Sequence, residues 1–441
     1  MTAPRLPNIF RVPELKEKIL FTLLVLLVYR VGAHIATPGV NIQVLTDFIR
    51  NQGSQTLFGV YDLFVGGGLS RATVLALGIM PYISASIMFQ LAGAVFPTID
   101  KLQKEEEGRK KITQWTRYVT VVLSVFQAYG FAIFVESLQG ASGAAVASPG
   151  WGFRMITVLT LTTGAVFVMW LGERITERGV GNGMSLLIFF SIMQGMWPGL
   201  LQTIEFLRTG VITFLAMLVL LTVMVGVVAG VVAITVAARR IPIQIPRKVM
   251  GRGRIQEGQK TFIPIRINSA GVMPIIFAQS IIIVPGTLAT FSNIPALRNV
   301  ADAFQPGSVV YYVTYAFLIV FFTYFYTSII FNPVDLAENL KKQGGFIPGV
   351  KPGAATADYI DDVLTRVTLP GSLFLCIVAL LPFFVLDAFN VPFFFGGTAL
   401  LIVVGVGLDT IVQVQQHLHL RHYDDFMKQG RVKFRGRRRF M

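Results

Sequence analysis

One cysteine, Cys376, occurs in 441 residues. That count excludes a disulfide framework and a cysteine-built metal centre. Cys376 lies in an apolar run and reads as a small buried hydrophobe. Charge is scarce as well: Asp, Glu, Lys and Arg make up 14% of the chain and hydrophobic residues 54%. A soluble domain carries about 25% charged residues, so the composition indicates a polytopic membrane protein. Acid is scarcer than base, at 23 residues against 38. Inside the apolar runs, acids and histidines are almost missing. Glu136, Glu173, Asp387 and Asp409 fall at or near run ends, and Arg30 lies near the outer end of the first run, where it can snorkel. Ion-coupled transporters keep titratable groups at mid-span, so this shortage argues against proton or sodium coupling. Paired aspartates, a Ser/His pair and an HExxH motif are also lacking within the runs, which argues against intramembrane proteolysis. His417, His419 and His422 invite a metal reading, but on a helix His417 points away from the other two; a solvated tail beside lipid headgroups is the simpler reading.

Apolar sequence is what the chain has in quantity. A spanning helix needs about 20 apolar residues. Ten stretches qualify: Ile19–Ala36, Arg71–Phe96, Tyr118–Leu138, Phe153–Leu171, Gly183–Thr203, Val211–Ala238, Ser269–Phe291, Val309–Phe331, Val367–Leu386 and Phe393–Val414. The first follows Arg11, Lys16 and Lys18 without a small-residue cleavage site behind it, so it reads as a retained span. Ten spans put both termini on one side. The basic residues test that count. Those before span 1, after spans 2, 4, 6 and 8, and in the tail total 32 of the 38. This asymmetry places both termini in the cytoplasm. Five spans followed by five entering from the opposite side give two inverted halves, residues 1–203 and 204–414, with a basic tail over 415–441.

One stretch breaks the pattern. Leu57 to Val65 is a short apolar piece that meets Gly66, Gly67 and Gly68. Three adjacent glycines end a helix, since each costs about 1 kcal/mol relative to alanine. Broken backbone at membrane depth is tolerated only beside protein or a water-filled cavity. The expectation is a half-helix folded into a cavity, then a long helix from about Ser70 to Phe96 with Pro81 inside it. Ile79 and Ile83, four apart, share a face of that helix. Gly179–Gly183 precedes span 5 without the Gly-Lys-Ser/Thr of a phosphate loop; it reads as a turn, with Asn182 or Gly183 near the helix cap. The loop after span 6, RRIPIQIPRKVMGRGRIQEGQKTFIPIRIN, alternates from Ile241 to Ile245 and is strongly basic. A projecting hairpin fits it, able to dock on RNA or on an acidic protein surface.

Six segments in order carry a resemblance. They are ALGIMPYISASIMFQL (Ala76–Leu91), EEEGRKKITQWTRY (Glu105–Tyr118), ERGVGNGMSLLIF (Glu177–Phe189), INSAGVMPIIFAQS (Ile267–Ser280), NPVDLAENLKKQGGFIPGVKPG (Asn332–Gly353) and VPFFFGGTALLIVVGV (Val391–Val406). Along essentially its whole length the chain resembles the SecY family of protein-conducting channels, in a bacterial layout. The resemblance implies an all-α membrane protein of ten helices in two inverted halves around a central pore. It implies no enzyme activity, no cofactor and no metal. It makes the segment with Leu57, Phe58, Tyr61, Leu63, Phe64, Gly66, Gly67 and Gly68 a plug. It makes Ile79, Ile83, Ile188, Ile276 and Ile402 a pore ring, where aliphatic side chains wet poorly and offer no fixed hydrogen bonds. Each isoleucine alone reads as helix packing; the set across four spans is what points to a ring. A lateral gate between spans 2–3 and 7–8 would carry Ser84, Gln127, Asn268 and Ser280, or these polar residues bridge helices permanently.

For partners the resemblance implies the small membrane subunits SecE and SecG, the SecA motor, the ribosome with its RNA, signal sequences and nascent chains, and anionic lipids. Docking would use Arg239, Arg240, Arg252, Arg254 and Lys351. Lys351 stands where the family pattern has arginine, and it keeps the charge without the bidentate geometry. The basic C-terminal run RGRRRF suggests further lipid or RNA contact. The implied site of action is the bacterial plasma membrane. Two rivals remain open at this point. A small-solute secondary transporter would share the topology but needs a polar midplane site. A basic ribosome receptor without a pore would leave the glycine break and the isoleucines unexplained.

Overall fold

The computed structural model describes residues 13–48, 57–140, 143–210, 213–244, 248–250, 254–256, 260–291, 303–305, 307–389 and 397–431. Helices dominate them. The chain begins with α1 (Pro13–Gly32), the short α2 (Ile42–Phe48) and the nine-residue α3 (Leu57–Val65). Next come α4 (Met80–Val95), α5 (Pro97–Lys104), α6 (Glu106–Ser137), the paired two-residue strands β1 (Gln139–Gly140) and β2 (Gly143–Ala144), α7 (Trp151–Arg178), α8 (Gly183–Arg208) and α9 (Phe214–Val236). The second half continues with α10 (Met273–Phe291), α11 (Val309–Ile330), α12 (Pro333–Lys342), α13 (Ala354–Phe389) and α14 (Gly397–Arg431). Seven described helices are long and apolar enough to cross a membrane, and the pair α4–α5, bent by 112°, makes an eighth. Helices α1 and α10 occupy the other two expected positions, so the ten-span layout is compatible with the structure.

Span 2 differs from expectation. Residues 70–79 form turns rather than helix, and α4 starts only at Met80. Pro81 therefore sits in the first turn, not inside the helix. There its fixed φ suits the helix and its missing N–H costs nothing. The turns are enforced upstream by two positive φ angles, +44° at Ala72 and +54° at Gly78. Several other helices outrun the expected spans: α6 starts at Glu106, α7 ends at Arg178 and α13 starts at Ala354. Hydropathy marks what lipid must cover, and these helices continue past that limit.

Asn182 caps α8. Its side chain accepts from the backbone N–H of Met184 and Ser185, satisfying two donors at the open helix end. One contiguous apolar core joins α1, α3, α4, α6, α7, α8, α9, α10, α11, α13 and α14. A second, smaller core lies outside it. The loop after α9 forms an antiparallel hairpin, β3 (Ala238–Gln244) with β6 (Lys260–Arg266), extended by β4 (Lys248–Met250) with β5 (Arg254–Gln256). Strand alternation turns Ile241 and Ile243 inward and leaves Arg240 and Pro242 exposed. The inward side chains pack with Ile265, Leu340, Ile347, Ile360, Val363 and Leu364. Gln244 exchanges two backbone hydrogen bonds with Phe346, at 2.9 and 3.0 Å. The loops after α9 and α11 are thus one body.

Candidate functional site

At about 1.5 Å per residue, α3 is roughly 13 Å long, too short to span. Phe58, Tyr61 and Phe64 are buried in the main core and Leu63 is half-buried; for Leu57 only the backbone is described. The chain then turns through Gly66 (φ +73°) and Gly67 (φ +78°). These angles suit glycine, and a Cβ on Gly66 would stand 3.0 Å from the Ser191 carbonyl oxygen. The expected half-helix with its glycine break is present, seated against α8.

Polar groups hold this segment in two ways. Within the segment, Asp62 Oδ1 accepts from the backbone N–H of Leu69 at 2.8 Å and of Ser70 at 2.9 Å, and the Tyr61 hydroxyl donates to Leu77 O at 2.9 Å. Burial pushes the Asp62 carboxyl above the usual carboxylate range, against the pull of those N–H groups and of Arg71. Between the segment and its walls, Gln194 Nε2 donates to Gly66 O at 2.8 Å. The Tyr29 hydroxyl lies 2.8 Å from Ser191 Oγ and 3.4 Å from Val65 O. Ser191 gives its own proton to Leu187 O, so Tyr29 is the donor in the first of these contacts. Sequence reasoning missed Tyr29, Asp62, Ser191 and Gln194. The available signals were an acid in an otherwise apolar nine-residue helix, and two polar residues three apart on span 5.

All five ring isoleucines are buried in the main core. Ile83, Ile188 and Ile276 line one cavity of about 340 Å³, with Tyr82, Phe277 and Tyr326 beside them. It opens past Arg117, whose Nε donates to Glu173 Oε1 at 2.8 Å. This cavity is on the hairpin side, since Met273 and Ile276 belong to the first turn of α10, just after the hairpin. A second cavity, about 600 Å³, lies further along α8. Arg30, Asp62, Leu63, Gly66, Arg71 and Gln194 are among its lining residues. The two share no lining residue. On α8 the first ends at Ile188 and the second begins at Phe190. Ile79 and Ile402 line neither.

The four seam residues are not brought together by hydrogen bonds. Ser84 donates to Met80 O and Ser280 to Ile276 O, each within its own helix. Gln127 is buried with both amide atoms unpartnered, and Asn268 Oδ1 is equally orphaned. The helices themselves do meet: α10 packs on both α4 and α6, and α11 packs on α10. On the hairpin, Arg239 and Arg240 are exposed, and the Arg240 guanidinium sits 4.8 Å from the Phe262 ring centroid. Lys351 is exposed and accepts a bond from Thr356 through its carbonyl. Arg254 belongs to β5, with only its backbone described; Arg252 and the basic run after Arg431 lie outside the described residues.

Comparison with known proteins agrees with this geometry. The SecY family model matches residues 73–411. The protein translocase subunit SecY of Aquifex aeolicus is 46% identical over 427 residues, covering 96% of this chain and 99% of that protein. The Escherichia coli K12 protein of the same name is 44% identical, covering 96% of each. Among solved structures, one described as a protein conducting channel superposes with a TM-score of 0.65 at 17% identity, covering 94% of this chain and 97% of that one. Sec61 in a canine ribosome-channel complex gives a TM-score of 0.62 at 17% identity, with the same coverage. The likeness to these structures concerns the fold; the sequence relationship carries the membership, and the chain belongs to the SecY family.

Proposed function

We propose that this chain is the channel-forming subunit of a bacterial protein translocase, and that unfolded polypeptides pass between its two cavities. The observation that carries the reading is the cavity lined by buried Ile83, Ile188 and Ile276 from α4, α8 and α10, with a second cavity, lined by α3, beginning two residues further along α8. An aliphatic waist wets poorly and so resists ions, yet offers no fixed hydrogen bond to hold a chain of any particular sequence. Ile79 and Ile402 complete the ring, and α3 with Gly66–Gly68 is the plug behind it. Lateral release of apolar segments occurs where α4 and α6 meet α10 and α11. The orphaned amide of Gln127 supports this site, because an unpartnered buried amide costs about 1–3 kcal/mol and weakens the closed seam. Ser84, Asn268 and Ser280 sit on the same seam.

The hairpin side is cytoplasmic on the distribution of basic residues, which puts both termini there in the plasma membrane. Arg239, Arg240, Arg252, Arg254 and Lys351 form the docking face for the ribosome and for SecA, which supply the work. SecE and SecG pack on the lipid-facing helices, and basic tail residues contact anionic lipid. The test stalls a secretory chain bearing one cysteine in mid-passage through Cys376→Ser channels carrying Ile188→Cys. Oxidation gives a disulfide at 188 and none at a lipid-facing control on the same helix, such as Leu201→Cys, which is exposed and lines neither cavity. An engaged chain that never crosslinks at 188 would reduce the isoleucines to packing and reopen the solute-transporter reading.

A further inference from the structure

The two cavities treat their arginines differently. In the first, Arg117 is answered by Glu173 at 2.8 Å, and Glu177 is held by Arg174 at 2.9 Å. In the second, Arg30 of α1 and Arg71 from the turns before α4 line the same space, near enough for the charge of Arg71 to act on Arg30. Among the described residues neither has a carboxylate at salt-bridge distance. Asp62 is the one acid among the lining residues, and its Oδ1 is already committed to the backbone N–H of Leu69 and Ser70. Arg30 is half-buried, and its Nη1 is closed off from solvent without a hydrogen-bond partner. A buried cationic donor without an acceptor is costly, and two like charges in one cavity repel. A single anion between them answers both. The guanidinium fork presents parallel N–H groups that match two oxygens of a phosphate, and the cavity, at about 600 Å³, has room for one. Trp197 lines it too, with an indole N–H that can only donate. We propose that Arg30 and Arg71 form an oxyanion site in the cavity away from the hairpin, and that it holds a phosphate group, supplied as free phosphate or as a phospholipid headgroup. Binding cancels the repulsion between the arginines. On the channel reading above, it also removes positive charge from the mouth through which a chain leaves; the binding itself does not depend on that reading.

The test follows thermal unfolding of the full chain with its small partner subunits in maltoside micelles. Inorganic phosphate is titrated against gluconate at matched ionic strength, which holds general screening constant. A ligand of the folded state raises the midpoint with its concentration, so the parent should show a rise that sets in with millimolar phosphate. Arg30→Gln and Arg71→Gln should each weaken the apparent affinity at least about tenfold, the factor that loss of one charge-assisted hydrogen bond allows. Arg71→Lys keeps the charge without the fork and should fall between parent and glutamine variant. Arg208→Gln changes an exposed arginine that lines neither cavity and should keep the parent's curve. Arg71 is exposed, so its variants keep the test decisive if Arg30→Gln fails to fold. A second arm omits inorganic phosphate and dopes the micelles with phosphatidylglycerol. A shift in this arm that Arg71→Gln removes assigns the headgroup as the source; a shift with inorganic phosphate alone assigns the free anion. No shift in either arm would overturn the proposal, as would a shift that survives Arg71→Gln. A response that Arg208→Gln weakens as much as Arg71→Gln would also overturn it, because it would belong to the surface at large. Failure of the crosslink at 188 would remove the pore reading and leave this site standing.

Discussion

In the proposed channel two closures lie on one path, and they are built from opposite chemistry. The waist is made of isoleucines whose contacts have no direction. The plug is seated by a 2.8 Å hydrogen bond from Gln194 to Gly66 O and by a glycine that no other residue can replace without moving Ser191. A non-directional closure tolerates change and adapts to whatever passes through it. A directional one has a defined seated state and therefore a defined threshold. The contrast suggests a division of labour, with the waist sealing around a moving chain and the plug deciding whether movement begins.

The contrast can be broken first at Gly66. Gly66→Val forces a β-branched residue to φ +73°, a strain of about 1–3 kcal/mol, and drives its Cβ against Ser191. Resting conductance should rise at least about tenfold; a silent Gly66→Val would show that the plug is not held by this fit. Next come Ile83→Asn and Ile276→Asn, which place an amide in the apolar waist at about 1 kcal/mol, the low end of an amide's burial cost, and should raise the leak about fivefold. Ile188→Val, costing about 0.5–1.5 kcal/mol, should leave the leak near the parent's. A leak from Ile188→Val as large as from the asparagine variants would erase the claim that the waist tolerates change.

Asp62 sharpens the plug side. Asp62→Ala leaves the N–H groups of Leu69 and Ser70 bare and should lower thermal stability in detergent by about 1–3 kcal/mol, with Asp62→Asn costing less. The native carboxyl titrates above the ordinary aspartate value of about 3.9, so the folded segment holds the proton more tightly than the unfolded one. Stability should therefore be greatest in acid and fall as pH rises from about 4 through the raised value. Asp62→Asn should abolish that slope, and a slope that survives would assign it to another group. The smallest effect lies outside both closures. Phe262→Leu removes the face on which Arg240 rests and should weaken ribosome binding by about 0.5–1 kcal/mol. Sedimentation with ribosomes at low salt measures it, and unchanged binding would exclude the pair from the docking face.

Much of this arrangement was legible beforehand for local reasons. The glycine break ended α3 because three glycines act within one turn. The alternation at Ile241 and Ile243 gave the hairpin because strand period is local too. Basic residues marked the sides because charge near span ends is a local count. What escaped was set by distant partners. Residues 70–79 looked helical by apolar content, but Tyr61 bonds Leu77 O, Thr37 bonds Ala72 O and Ile35 bonds Val74, and these hold the chain in turns. The polar contacts of Tyr29 and Gln194 around the end of α3 join residues 36 to 162 positions apart, which no periodicity reveals. The shared body of the two hairpin-side loops escaped likewise, since Gln244 and Phe346 meet only in three dimensions.

The internal bonds of the plug have a consequence for how it travels. Asp62 to Leu69 and Ser70, Gly67 N to Asp62 O, and Thr73 to Gly68 O are all closed within the segment. In the proposed channel it would leave its seat as a prefabricated stopper, giving up its bond to Gln194 and, where Ala72 to Val74 move with it, their backbone pairing with residues 35–37. Helix α3 and its glycine turn would not have to be rebuilt when it comes back. On the same reading, resealing after a chain has cleared would be a docking event between largely finished surfaces rather than a refolding step.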